Sequence, residues 1–210
     1  MEALSAYLSL QKTSLRHQNK ANKANSHGFA QSLISFALRR LATLAILYSD
    51  TLIKQLYEAF PLRPLPTQVA GKRTIYDDEY SYVEEFFHGR EWDTFSLRTL
   101  LNEYRGPHEA CLSFMSSEAF NYYLPGFMKI SIEEFDPEEI LMEIVLYELT
   151  PSTNHDVQNY QLERFSTFNH KQIKTIVLFF DYMQEKYGEE FKLSGHDKTQ
   201  IYWSGKLTKL

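Results

Sequence analysis

PHEACLSFMSSEAFNYYLPGFMKI, the stretch from Pro107 to Ile130, is the densest in aromatic and sulphur-bearing side chains, and its reading decides the fold. Ser116 carries the hydroxyl that caps a helix start, and Glu118 places a carboxylate in the positively polarised first turn. Met115 and Phe120 stand where a hydrophobic staple closes. The spacing therefore predicts a helix from this point, apolar enough to form the packing centre of the molecule. Pro125 has no amide hydrogen and crowds the preceding turn, so a kink or break is expected between Tyr123 and Phe127. Gly126 beside it allows a close backbone approach. The stretch sets a core and contains no reaction chemistry.

Working outward, Asp136, Pro137, Glu138 and Glu139 supply a side-chain cap, a preset first residue and a capping-box partner. The helix they open has the body ILMEIVLYEL, apolar around most of its circumference, and ends at Thr150 and Pro151. Residues 152–164 are polar and read as a loop. Asn169 caps a helix that carries Ile173, Ile176, Val177, Phe180 and Met183 to Tyr187, where Gly188 stops it. Beyond it, Phe191, Leu193 and the Ile201-Tyr202-Trp203 cluster are expected to dock on the core, with the final basic residues left in water.

Upstream, Ser49 and Asp50 offer a cap for a helix with Leu52, Ile53, Leu56, Tyr57 and Phe60 at helical spacing, closed by Pro61. Pro64, Pro66 and Gly71 interrupt the next segment, a poor place for core that has room for a short extended piece before Tyr76. Asp77, Asp78 and Glu79 then make the acidic first turn of a helix through Tyr80, Val83, Glu84 and Phe87, stopped at Gly89. Trp92 anchors the following corner. Leu97, Leu100, Leu101 and Tyr104 form a short stripe ended by Gly106 and Pro107.

The Leu112–Met128 string, with Trp92 upstream, resembles an uncharacterised bacterial domain family whose members carry a tryptophan followed by a variant of F-x-S/T-P-E-A-F-x-Y-Y-L-P-x-F. At Ser117 this chain has serine where that family has proline at the first helical position. The resemblance spans Ser49 to Tyr187. It implies an all-helical domain of no established activity, and its small acidic members imply a place among toxin-immunity proteins.

With 210 residues, 43% of them hydrophobic, and fifteen Phe and fourteen Tyr against eight Gly and seven Pro, the chain has the material for one ordered, aromatic-rich domain. The expected fold is all-α: a single compact helical domain over residues 49–210, with a basic N-terminal arm and amphipathic helix over 1–48 at its periphery. Phe29–Tyr48 is long enough for a membrane span, but Arg39 and Arg40 lie near its middle, so it reads as a docked amphipathic helix and no transmembrane segment is expected. Cys111 is the only cysteine, which excludes an internal disulfide and fits a reducing, cytoplasmic compartment.

Charge divides unevenly. Residues 1–49 hold six basic side chains against Glu2 alone, so of the whole-chain totals of 22 basic and 27 acidic, 16 basic and 26 acidic fall in the remainder, a balance of −10. A domain of that sign is repelled by nucleic acid and attracted to basic proteins. Between Lys129 and Arg164 stand nine acidic residues and no lysine or arginine: Glu133, Glu134, Asp136, Glu138, Glu139, Glu143, Glu148, Asp156 and Glu163.

Chemistry-bearing residues are sparse. Glu85 and His88 form E-x-x-H, but the second copy that a bridged metal pair needs is missing, and His88 next to Gly89 reads as a helix C-terminal cation. His108, Glu109 and Cys111 bring together a base, an acid and a thiol, yet Cys111 sits among apolar neighbours and reads as a small hydrophobe. His196 and Asp197 read as turn or cap residues. No phosphate-loop, dinucleotide, zinc-protease or nucleophile-elbow motif occurs. No cofactor, metal site or catalytic residue is expected. The function read from the sequence is a non-enzymatic module that binds a basic protein such as a cognate toxin. Its contact residues are Asp77, Asp78, Glu79 and Tyr80, or Glu138, Glu139 and Glu143. The alternative is a small enzyme or ligand-binding domain using an aromatic pocket near Trp92 and His108.

Overall fold

The computed structural model describes residues 47–71, 77–134 and 140–208, all of it helices and connecting turns apart from one isolated bridge between Ala70 and Met115. The N-terminal arm, Tyr76 and the Asp136-Pro137-Glu138-Glu139 helix start lie outside the described residues. In chain order the helices are α1 (residues 47–59), α2 (Asp77–Phe87), α3 (Leu97–Glu103), a 3-10 turn (His108–Ala110), α4 (Ser117–Glu133), α5 (Ile140–Glu148), α6 (His155–Ser166), α7 (His170–Tyr187), α8 (Glu189–Leu193) and α9 (His196–Leu207).

α4 is the axis. Ser116 accepts from the Ala119 amide as its cap, and every residue from Tyr123 to Met128 is buried, so neighbours surround the helix on all sides. The expected break at Pro125 is not there: α4 runs through it to Glu133. Proline inside a helix costs about 3 kcal/mol. Tyr123, Leu124, Phe127 and Met128 are all fully buried, each gaining roughly 1.5–3 kcal/mol from burial, and together they outweigh that cost. Gly126 serves as expected, because a β-carbon on it would lie 2.3 Å from the Trp92 carbonyl oxygen and 2.7 Å from the Phe95 ring.

Around this axis the core is one continuous cluster, from Leu52 and Leu56 on α1 to Trp203 on α9. Trp92 anchors its corner: it is fully buried, donates its indole N–H to the Phe60 carbonyl (3.2 Å) and packs on the Tyr57 ring (4.7 Å). α7 is capped by Asn169 as predicted, the cap forming a box with Gln172 that the sequence reading did not name, and it ends at Gly188, whose φ is 59°. α9 packs along α7 and α8 and buries Trp203 against Phe165 and Phe168.

Several sequence expectations need correction. Residues 152–164 are not a loop, because α6 begins at His155 and buries Gln161, Arg164 and Phe165. Ser49 and Asp50 lie within α1, already helical at Leu47, and do not cap it. The proline-rich segment does contribute core: Pro66, Val69 and Ala70 are buried where the extended piece bridges to Met115. At the C-terminal end, Leu193 and Ile201 face solvent, and Lys206 is drawn in to donate to the Phe165 carbonyl at 3.0 Å.

Candidate functional site

Glu84 sets the roll of α2. Its carboxylate accepts from the Val69 and Ala70 amides (3.1 and 2.8 Å) and meets His88 Nδ1 at 3.0 Å, fastening that edge of the helix to the bridged segment. His88 is thus a partner of the preceding turn. With Val83, Phe86 and Phe87 buried, Asp78, Tyr82 and Glu85 fall at i, i+4 and i+7 along the outer side. Asp78 and Glu85 are exposed, and Tyr82 is partly buried with its ring against the hydrophobic core.

The exit from α2 is held equally firmly. Gly89 turns the chain with φ 75°, and the buried Tyr123 hydroxyl of α4 donates to the carbonyls of Phe87 and Arg90. Arg90 is thereby laid over the Phe86 ring, 4.2 Å from its centre, with Nη2 3.2 Å from Glu103 Oε2 on α3. Arg105, just past α3, reaches back to Glu85 Oε2 at 3.4 Å. The two ion pairs cross between the helices and frame a cleft of about 180 Å³ lined by Tyr82, Glu85, Phe86, Arg90, Glu103 and Arg105. Behind it stands a wall of interlocked rings, Phe86, Phe87, Phe95, Tyr104, Tyr123 and Phe127, with neighbouring centres 4.7 to 6.4 Å apart. Burial holds the Tyr104 hydroxyl's proton well above the usual phenol range, and the Tyr104 ring packs on Phe86.

The residues singled out from sequence separate accordingly. Asp77 opens α2 and Asp78 lies on its exposed stripe, whereas Tyr80 turns its ring edge-on to Phe114, 5.1 Å away, and is no free aromatic contact. Glu138 and Glu139 lie outside the described residues. Glu143 is exposed on α5 with Tyr147 one turn further on, 70% exposed, and its charge reaches Tyr187 and His196. The acidic stretch that contains it is not one continuous field. Glu133 pairs with Lys129 at 2.8 Å, Glu134 accepts from the Leu97 amide, and Glu148 is buried against Arg164.

The aromatic region near Trp92 and His108 is filled by its own side chains. Trp92, Phe120 and Tyr123 are fully buried, and the Tyr122 hydroxyl donates to the Leu62 carbonyl at 2.7 Å. Cys111 is closed off, its Sγ donating to the His108 carbonyl, and burial pushes its thiol well above the ordinary range, so the reactive thiolate is disfavoured. His108 Nδ1 sits 3.7 Å from Glu109 Oε2. Among the described residues no group of three or more His, Cys, Asp or Glu is placed to hold a metal ion, and no helix is long and apolar enough to cross a membrane.

Arg90, Glu103 and Arg105 were not legible as site residues. Their partners are 13 and 20 residues away, beyond any helical repeat, and the only local hint is that Arg90 and Arg105 each flank a glycine at a helix exit.

Residues 49–207 match the family of unknown function DUF6714. The chain belongs to that family. The match reaches from within α1 to the end of α9 and runs past Tyr187, the end of the resemblance read from sequence. No curated protein and no solved structure matched the DUF6714 chain.

Proposed function

We propose that this chain is a non-enzymatic protein-binding module that receives a basic protein on the outer side of α2 and the cleft beside it, acting as an immunity-type inhibitor that covers the basic region of a bacterial toxin. The observation that carries the reading is the stripe Asp78, Tyr82 and Glu85 leading into the cleft: an aromatic flanked by carboxylates on a helix fixed by Glu84 and Tyr123. Aromatics that desolvate at a contact carry most of the affinity, while surrounding charges set the association rate and the choice of partner. The acidic balance of −10 beyond residue 49 supplies the attracting field. In this reading the module acts in the cytoplasm, needs no cofactor or metal, and leaves nucleic acid alone.

Glu143 and Tyr147 on α5 form a second exposed carboxylate and aromatic pair, and one experiment decides between the two faces. The tagged full chain, D78K/E85K and E143K/Y147A are incubated with lysate of the native host at about 50 mM and about 500 mM salt. Captured proteins are identified by mass spectrometry. A basic protein recovered at low salt, lost from D78K/E85K and retained by E143K/Y147A is the expected result. Loss from E143K/Y147A alone moves the contact to α5. Recovery of nothing specific from a lysate in which basic toxins are demonstrably expressed, or of a partner indifferent to salt and to both variants, overturns the proposal.

A further inference from the structure

The cleft between α2 and α3 has the chemistry of a receptor for one charged side chain, and it rests on the docking reading given above. Its two ion pairs differ in rigidity. Arg90 is clamped, since its guanidinium lies on Phe86 and its carbonyl accepts from Tyr123. Arg105 is loose: it and Glu85 are 70% and 62% exposed and meet at 3.4 Å, the kind of surface pair that contributes little. An incoming cation can therefore displace Arg105 from Glu85 at small cost, with Glu103 as a second carboxylate on the opposite wall and the Tyr82 ring beside it. An incoming anion would find Arg90 and Arg105 already held by Glu103 and Glu85, and would have to break one of these pairs with the released carboxylate left facing it.

We propose that the cleft accepts an arginine side chain of the partner, its guanidinium taking the place of Arg105 on Glu85, bridging towards Glu103 and lying against Tyr82. A planar guanidinium suits two carboxylates and a ring better than a compact, strongly hydrated ammonium does. Arg105 then acts as a built-in competitor that keeps the cleft closed until a partner arrives.

The competitor gives the test its sign. Nα-acetyl-arginine amide is titrated into the isotope-labelled full chain, and binding is followed by NMR shifts of the Tyr82, Glu85, Phe86 and Glu103 amides. Saturable shifts with a Kd on the order of 1 mM are expected. Nα-acetyl-lysine amide should bind at least about 3-fold more weakly. E85Q/E103Q should weaken arginine binding about 10-fold or more, and R105A should strengthen it about 3-fold, an effect that a general loss of structure cannot produce. Saturable binding of Nα-acetyl-glutamate amide that R105A abolishes would make the cleft an anion site and overturn the proposal, as would the absence of saturable shifts with blocked arginine. If blocked arginine fails while a basic protein is still captured through α2, the docking reading stands and only the arginine receptor falls.

Discussion

Gly126 has no spare volume on its outer side, and that single absence sets how closely the Trp92 corner approaches α4. A methyl group there would have to displace the Trp92 carbonyl, a backbone atom at 2.3 Å, as well as the Phe95 ring at 2.7 Å. Overpacking a core costs about 1–3 kcal/mol, and alanine returns about 1 kcal/mol through its better helix propensity. Because backbone yields less than side chains, the clash wins, and Gly126→Ala should lose about 2 kcal/mol in urea unfolding. Gly89→Ala provides the contrast. Nothing lies within 4 Å of its added β-carbon, so only the left-handed backbone at φ 75° is penalised, by about 1 kcal/mol. Gly126→Ala as stable as the parent would show that α4 does not meet the Trp92 carbonyl.

α6 owes its place to a charge that no surface reading would put inside. Arg164 is 1% exposed, lies between the rings of Phe120 (4.7 Å) and Tyr160 (4.2 Å), donates to the Ser113 carbonyl at 2.9 Å and to that of Met115, and pairs with Glu148 of α5 at 3.5 Å. One side chain thus joins α6, α5 and the turn before α4. Arg164→Met leaves Glu148 buried without its countercharge and should cost about 3–5 kcal/mol, whereas Arg164→Met with Glu148→Leu should recover much of that loss. Urea midpoints of the two singles and the double measure the coupling, and additive losses would refute it. The same residue explains why residues 152–164 read as a loop in the sequence. The inward positions of α6, Gln161, Arg164 and Phe165, have helical spacing, but two of the three are polar, so no apolar stripe marks the face. By contrast, the starts of α4 and α7 were legible, because Ser116 and Asn169 cap through their own immediate neighbours. The cleft itself was not legible: Asp78 beside it stands out in the acidic first turn, but Glu85 reads only as the partner of His88, and Arg90 and Arg105 enter through tertiary turns that no local pattern encodes.

Across the whole molecule, aromatic density couples stability to alkaline pH. Tyr48 of α1 packs on Tyr182 of α7, ring centres 5.8 Å apart, and its hydroxyl reaches the Leu178 carbonyl. Burial pushes both phenols up to about 12, with the charges of Asp181 and Glu185 adding to the rise at Tyr48 and that of Glu185 at Tyr182; burial does the same to Tyr187 at the end of α7. In the unfolded chain these phenols release their protons near pH 10. Between about 10 and about 12 the native state therefore holds more protons than the unfolded one, and stability falls as pH rises. The contribution is fully present below about 10 and is lost on passing through about 12. Urea midpoints should stay level from neutral pH to about 9 and then decline. The ultraviolet tyrosinate signal at pH 11 should be smaller for the native chain than for the same chain in urea. Since Tyr48 and Tyr182 bridge α1 and α7, the first contact to open should be that one, seen as amide exchange rising in α1 and α7 while α4, sealed on all sides, stays protected. Superimposable native and unfolded tyrosine titrations would mean that these hydroxyls are hydrated in the fold and that the α1–α7 contact is not closed over them.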